Sequence, residues 1–284
     1  MTRSAGPERV ARDGAASGGA ASGSAVSDGA VSDGAVPDDV ADLPSLAPGC
    51  SSVAALDALV VDCRACPRLV AWREEVGRTR RAAFRDQEYW ARPLPGFGDP
   101  EAAIQVVGLA PSAHGSNRTG RMFTGDRSGD VLFAALHRAG LASRPTATSA
   151  DDGLRLNGVR LTAPVRCAPP ADRPTPAERR RCGPYLAREL ELVGPRVVLV
   201  LGGFGWRAML ATLVEQGWDV PRPRPRFRHG AELPLVHADG RATTLLGCYH
   251  VSPRNVSTGV LTPAMLDAVL HRARTLAGLA ALDS

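Results

Sequence analysis

Not one of the 284 residues is lysine, so all 34 basic side chains are arginine. That absence excludes a lysine Schiff base anywhere in the chain. It reads as the mark of a GC-rich genome, although arginine is also the better fork for phosphates. Aromatic residues are scarce at 5%, against 44% hydrophobic residues, enough for one sizeable domain or one domain with a tail. Long apolar runs are missing: none approaches the ~20 residues of a membrane span. The N-terminus is rich in Ala, Gly and Ser without the apolar core of a signal segment. A cytoplasmic protein with no membrane partner is the expectation. Six cysteines are too few for a disulfide scaffold and point to metal binding or packing.

Charge is unevenly spread. Residues 1–48 carry three arginines and seven acids, for −4, which leaves +9 on the remainder of a chain whose net charge is +5. A basic folded part behind an acidic tail suits a polyanionic partner. Residues 1–48 are of low complexity, with a five-residue Val-Ser-Asp-Gly-Ala repeat and nothing large to bury. They are expected to be a disordered tail, and 49–284 to be the folded domain.

Helical periodicity starts near Ser52. Four apolar runs follow, at Ile104–Val107, Val159–Leu161 with Val165, Val197–Leu201 and Thr243–Leu246. Helical patterns separate the first three. This alternation predicts a three-layer α/β/α sandwich around a four-stranded parallel sheet. Thr175-Pro-Ala-Glu178 reads as a capping box. Pro184 is taken to open a second helix over Tyr185–Val193, closed by Gly194. The last helix is expected to open at Thr262-Pro263 and run to about Leu279.

The densest motif is Gly108-Leu-Ala-Pro-Ser-Ala-His-Gly-Ser-Asn-Arg-Thr-Gly-Arg-Met-Phe-Thr-Gly-Asp126. It follows the first strand, and open α/β sheets place ligands at the carboxyl ends of strands. Its glycines, arginines, histidine, asparagine and single aromatic suit a flat polar ring with phosphates nearby. His250-Val-Ser-Pro-Arg-Asn255 follows the fourth strand and should face that loop across the sheet. Cys63-x2-Cys66 with Cys167 and Cys182 makes a set of four thiolates, which either zinc or a [4Fe–4S] cluster accepts. Cys248 reads as a buried packing residue. Pro221–Gly230, with arginine at every second position, is either a strip for a phosphate backbone or an exposed linker.

Taken together, the Gly108–Asp126 motif, the four cysteines, Arg166-Cys-Ala-Pro-Pro170, Glu88–Asp99, Arg226–Ala231 and His250–Asn255 resemble the family 5 (type b) uracil-DNA glycosylases over roughly residues 50–280. The resemblance implies a monofunctional enzyme of base excision repair. It would hydrolyse the N-glycosidic bond of uracil in DNA, and one flipped base needs only a monomer. It implies a [4Fe–4S] cluster on Cys63, Cys66, Cys167 and Cys182. It also implies base stacking on Phe123, base hydrogen bonding by the backbone around Ala110, Ser112 and Ala113, and charge stabilisation by His250. Ser252, Arg254 and Asn255 would press on the DNA minor groove, with Arg118 and Arg121 as further DNA contacts. Two departures stand out. Leu109–Ser112 lacks the water-activating acid found in many such enzymes, and the second strand ends at Ala163-Pro164 without an amide. Both suggest looser base discrimination, extending to hypoxanthine. Asp126 is the first choice to activate water, with Asn117, His114 and Asp172 as alternatives and helix capping as the competing role for Asp126. The rival reading is a non-catalytic nucleic-acid-binding module with a structural zinc or cluster.

Overall fold

The computed structural model describes residues 42–279. The tail expected over 1–48 therefore lies almost wholly outside the described residues. Its last seven residues need correcting, because Leu43–Leu46 forms helix α1 and Ala47–Gly49 a 3-10 turn. Pro44 and Ala47 are buried there, so this short stretch has a core to join.

Strands β2 (Ile104–Val107), β3 (Val159–Thr162), β4 (Val197–Leu201) and β6 (Ala242–Cys248) are the four apolar runs read from the sequence. They lie parallel in the order β3-β2-β4-β6. Two antiparallel strands widen the sheet to six: β1 (Phe97–Gly98) beside β3 and β5 (Glu232–Val236) beside β6. Neither edge carries a continuous apolar run. β5 contains Pro234, which a sheet tolerates at an edge.

Alternation along the strands feeds two cores. Ile104, Val106, Val197, Leu199 and Leu201 pack with α5 (Arg127–Arg138) and α9 (Pro263–Leu276). Val107, Val198, Val200 and Leu245 pack with α6 (Pro176–Val193) and α7 (Gly203–Glu215). Strands buried on both faces leave no polar side to read, which is why they appear as unbroken runs. Helix α6 opens on the expected Thr175–Glu178 capping box and closes at Gly194, but it is one helix, running through Pro184. Proline removes only one helical hydrogen bond, and buried Tyr185, Leu186, Glu189 and Leu190 anchor the second half.

Helices α2 (Val53–Val61) and α3 (Pro67–Thr79) flank the sandwich. Half-buried Asp57 of α2 joins a buried network of Arg160 and Thr162 of β3, Arg166 from the loop after β3 and Glu189 of α6. Arg160 donates to Glu189 at 2.6 Å and to Asp57 at 2.7 Å. Thr162 Oγ1 donates to Glu189 at 2.6 Å, and Arg166 pairs with the same carboxylate. Burial works to raise the pKa of Glu189, yet Arg166 and Arg160 hold it below the usual carboxylate range. No helix among the described residues is long and apolar enough to cross a membrane.

Candidate active site

A cavity of about 400 Å³ opens at the carboxyl ends of the parallel strands. Its wall combines Gly108–Ser112 after β2, Met122, Phe123 and Asp126 from the rest of the motif, Ala163 after β3, Leu201–Phe204 after β4, and His250, Ser252 and Pro253 after β6. The two motifs expected to face one another do so. Asp172 reaches in from the segment before α6.

Phe123 has φ +56°, a left-handed conformation that costs a non-glycine residue about 1–3 kcal/mol. Such strain persists only where the surrounding structure holds the residue against it. Gly108 makes room: a Cβ there would sit 2.7 Å from Phe123 Cζ. Ring and β2 exit thus approach more closely than any side chain at 108 allows.

Asp126 takes the competing capping role and also lines the cavity. Its Oδ1 accepts from the backbone of Ser128 at 2.9 Å and Gly129 at 3.0 Å, capping α5. Its Oδ2 accepts the Ser112 hydroxyl proton. Ser112 Oγ in turn accepts from Ser116 N at 3.2 Å. The carboxylate is therefore fixed in direction while still lining the cavity. Asp172 has its pKa raised, by loss of water first and by the charge of Asp126 second, with His114 opposing.

His250 follows β6, where the chain turns into α8 (Pro253–Ser257). Asn255 Nδ2 donates to the His250 carbonyl at 2.8 Å, and Ser252 Oγ caps α8. The imidazole has its pKa lowered, mainly by burial and against the pull of Asp126. At neutral pH it is an uncharged ring with one N–H to donate.

The sequence overlooked one part of the wall. Gly202-Gly203-Phe204 opens α7, whose 13 residues point their N-terminus at the cavity. Gly202 has φ +92°, a turn that glycine alone makes without strain. Unpaired amides and the helix dipole there favour negative charge. A glycine-rich turn at a strand's carboxyl end was the available signal.

Five of the proposed site residues need correcting. Asn117, fully buried, turns away from the cavity and donates to the Arg73 carbonyl of α3 at 3.2 Å. Arg121 is buried, paired with Asp152 at 2.6 Å and seated 4.7 Å above the Phe97 ring, so it is not open to DNA. Arg118 uses its guanidinium on the His114 carbonyl, Gln87 and the Gly125 carbonyl, and braces the loop. His114 lies outside the cavity wall and meets Tyr89 Oη at 3.1 Å. Its pKa is lowered by burial first, then by Arg81 and Arg118. Ala110 and Ser112 line the cavity, whereas Ala113 does not. Ser252 lines it too, and Arg254 is exposed beside it.

A second cavity gathers all four expected cysteines, Cys63, Cys66, Cys167 and Cys182, together with Tyr185 and Arg166. All four are free thiols. Among the described residues no three Cys, His, Asp or Glu side chains converge as ligands of one metal ion would. Burial pushes the thiols up, to about 12 for Cys66 and about 11 for Cys167, and neighbouring cysteines add to the rise at Cys66. Arg73, also buried, donates to Cys167 Sγ at 2.9 Å and to the Cys63 carbonyl at 3.2 Å. Leu69, Val165 and Cys167 pack together with Cys66 and with Ala110 of the first cavity.

The sequence model of the Uracil DNA glycosylase superfamily matches residues 95–274. The type-5 uracil-DNA glycosylase of Mycobacterium tuberculosis is 54% identical over 236 residues, 82% of this chain and 85% of that protein. That of Thermus thermophilus is 55% identical over 219 residues, 76% and 94% of the two chains. A type-4 enzyme from Archaeoglobus fulgidus matches only 112 residues, at 37% identity, 39% of this chain and 49% of its own. With a match of this extent, this chain belongs to the type-5 branch of the uracil DNA glycosylase superfamily.

Proposed function

We propose that this chain excises uracil from DNA by hydrolysing the N-glycosidic bond, leaving an abasic site for base excision repair. The observation that carries the reading is one cavity walled by a strained aromatic, a fixed carboxylate and a neutral histidine at the carboxyl ends of four parallel strands.

The chemistry follows from the wall. A base inside a duplex is out of reach, so the nucleotide is flipped, at a cost of a few kcal/mol that is least for a mismatched base. Stacking on Phe123 returns about 1–3 kcal/mol. As the C1′–N1 bond stretches, positive charge grows on the sugar and negative charge on the departing pyrimidine. The His250 N–H donates to the pyrimidine carbonyl oxygen that takes up this charge, and the N-terminus of α7 adds its positive end. A neutral donor suits this task, because the base leaves as an anion without a full proton transfer. Asp126, oriented by Ser112 and the amides of α5, aligns a water on C1′ and accepts its proton as the new C–O bond forms. No lysine is present to attack the abasic sugar, so the reaction ends there.

Among the described residues no Asn or Gln side chain stands in the cavity wall, and Ala163 follows the end of β3. A site without a reading amide discriminates weakly between bases that share a carbonyl edge. This supports hypoxanthine as a second substrate. Cys63, Cys66, Cys167 and Cys182 would hold a [4Fe–4S] cluster. Four thiols lining one cavity, one buried and three half-buried, with a buried arginine donating to one sulfur, suit an anionic iron–sulfur group. Bound there, such a group would cross-link three separate chain segments.

Single-turnover assays on a duplex with U opposite G, in EDTA and followed by alkali, test the reading. Strand scission only after alkali is expected, and Asp126→Asn should slow it by about 10²-fold or more. A brown, folded, DNA-binding preparation that releases no uracil would return the chain to the non-catalytic binding module. Hypoxanthine left wholly intact under conditions that clear uracil would remove the second substrate.

A further inference from the structure

The segment Pro221–Gly230 takes no part in the cavity wall, yet the scaffold of the cavity fixes its course. Trp206 Nε1 of α7 donates to the Pro225 carbonyl at 2.9 Å. The Phe227 ring packs edge-on to Trp206 and to Tyr249, 6.1 Å from each. Tyr249 N donates to His229 Nδ1 at 3.2 Å, and Gly230 N to the Gly247 carbonyl at 2.7 Å. Tyr249 directly precedes His250, and Phe227 lies against Gly203 of the cavity wall. The segment is thus held beside the opening.

Its side chains alternate. Pro225, Phe227 and His229 are half-buried, while Arg224, Arg226 and Arg228 are exposed. A two-residue period with one face down is that of an extended chain. None of these three arginines makes a side-chain hydrogen bond or ion pair among the described residues. Five other exposed arginines, Arg64, Arg78, Arg92, Arg138 and Arg272, each hold a carboxylate instead. Three unpaired guanidiniums in a row, anchored from below by aromatic rings, are kept free for an outside anion.

The spacing suits a nucleic-acid strand. Alternate residues of an extended chain lie about 6.6 Å apart. Successive phosphates of one DNA strand combine a rise of about 3.4 Å with the turn of the helix, which sets them a comparable distance apart. We propose that Arg224, Arg226 and Arg228 form a ladder that tracks the DNA phosphate backbone beside the base cavity. The proposal rests on the reading of that cavity as a base-excision site. Arg254, exposed in the turn after His250, stands at the same end of the sheet, so DNA would be gripped from two segments. Contacts of this kind position the duplex without reading its sequence.

The test is equilibrium binding of the full chain to a uracil-free duplex over a range of salt concentrations. The parent is compared with R224S/R226S/R228S and with R224K/R226K/R228K. Each phosphate contact contributes about 0.9 to the slope of log K against log salt. The serine triple should flatten the slope by up to about 2.7, and the lysine triple should restore most of it. Circular dichroism and the unfolding midpoint establish that the exposed substitutions leave the fold intact, and single serine variants read a third of the effect each. A serine triple with the parent's slope, or a parent that does not bind duplex at all, overturns the ladder. A parent that binds DNA but releases no base defeats the glycosylase reading and leaves the slope comparison standing.

Discussion

The base cavity and the cysteine cavity are neighbours built on opposite principles. A short step of chain separates them: Ala163 lines the first, and Val165, Arg166 and Cys167 line the second. The base cavity is assembled from strand ends and helix starts of one sheet, with close backbone approaches and a strained Phe123. Its polar groups are few, with Ser112, Asp126 and His250 lining the space where a ring would sit. The cysteine cavity joins α1, the α2–α3 connection, the β3 exit and α6, segments far apart in sequence. It is backed by Arg73, Arg166 and the Glu189 network, charges that no solvent screens. One cavity is shaped to discriminate between two states of a substrate, the other to make distant segments move as one. Substitutions should therefore separate into those that change chemistry and those that change stability.

Glu189→Gln should give the largest effect and bear on stability. It leaves Arg166 buried without its carboxylate and costs Arg160 one of its two. Breaking a buried pair from one side costs about 3–5 kcal/mol. Denaturant unfolding should lose that much, while the single-turnover rate per folded molecule stays near the parent's. A rate that collapses together with stability would mean that the two cavities are one energetic unit.

His250→Ala is next and falls on the other side. Losing one donor to a developing anion costs about 10²–10³ in rate, with little change in the unfolding midpoint. The parent's pH profile sharpens the assignment. The His250 pKa is lowered by burial, so the neutral donor persists at and above the ordinary histidine value of about 6.5. Single-turnover rates should be flat from pH 8 to about 6.5 and fall only below that, as the ring takes a proton. A rate that instead rises through this acidic range would assign catalysis to the imidazolium.

Much of this division could be read in advance, because its carriers are local. Four apolar runs name four buried strands, and the position of a motif after a strand names the cavity's end of the sheet. Phe123, Asp126 and His250 reach the cavity because turn and strand direction send them there. Orientation within the loop was not legible. Arg121 looks like a phosphate contact until Asp152, 31 residues later, takes it. Asn117 looks catalytic until α3 presents the Arg73 carbonyl. Loop composition states which groups are available, while partners distant in sequence decide where each one points. The edge strands were hidden for a different reason. β1 has two residues and β5 carries a proline, so neither shows the run that burial on two faces imposes.

The smallest effect tests how finely the base cavity is tuned. Ser112 does not meet the substrate through its hydroxyl if that proton is committed to Asp126. Its work is to aim the carboxylate, with the α4 (Ser116–Thr119) amide of Ser116 behind it. Ser112→Ala removes one of three hydrogen bonds to Asp126 and leaves the two from α5. A hydrogen bond contributes about 0.5–1.5 kcal/mol, so the single-turnover rate should fall roughly two- to twelvefold. The apparent affinity for duplex should not move, since no contact with the DNA is lost. The double variant S112A/D126N decides the point. If Ser112 acts only through Asp126, adding S112A to D126N slows the reaction no further. A full additional loss would give Ser112 its own contact with the base, and would move it from aiming the carboxylate to reading the substrate.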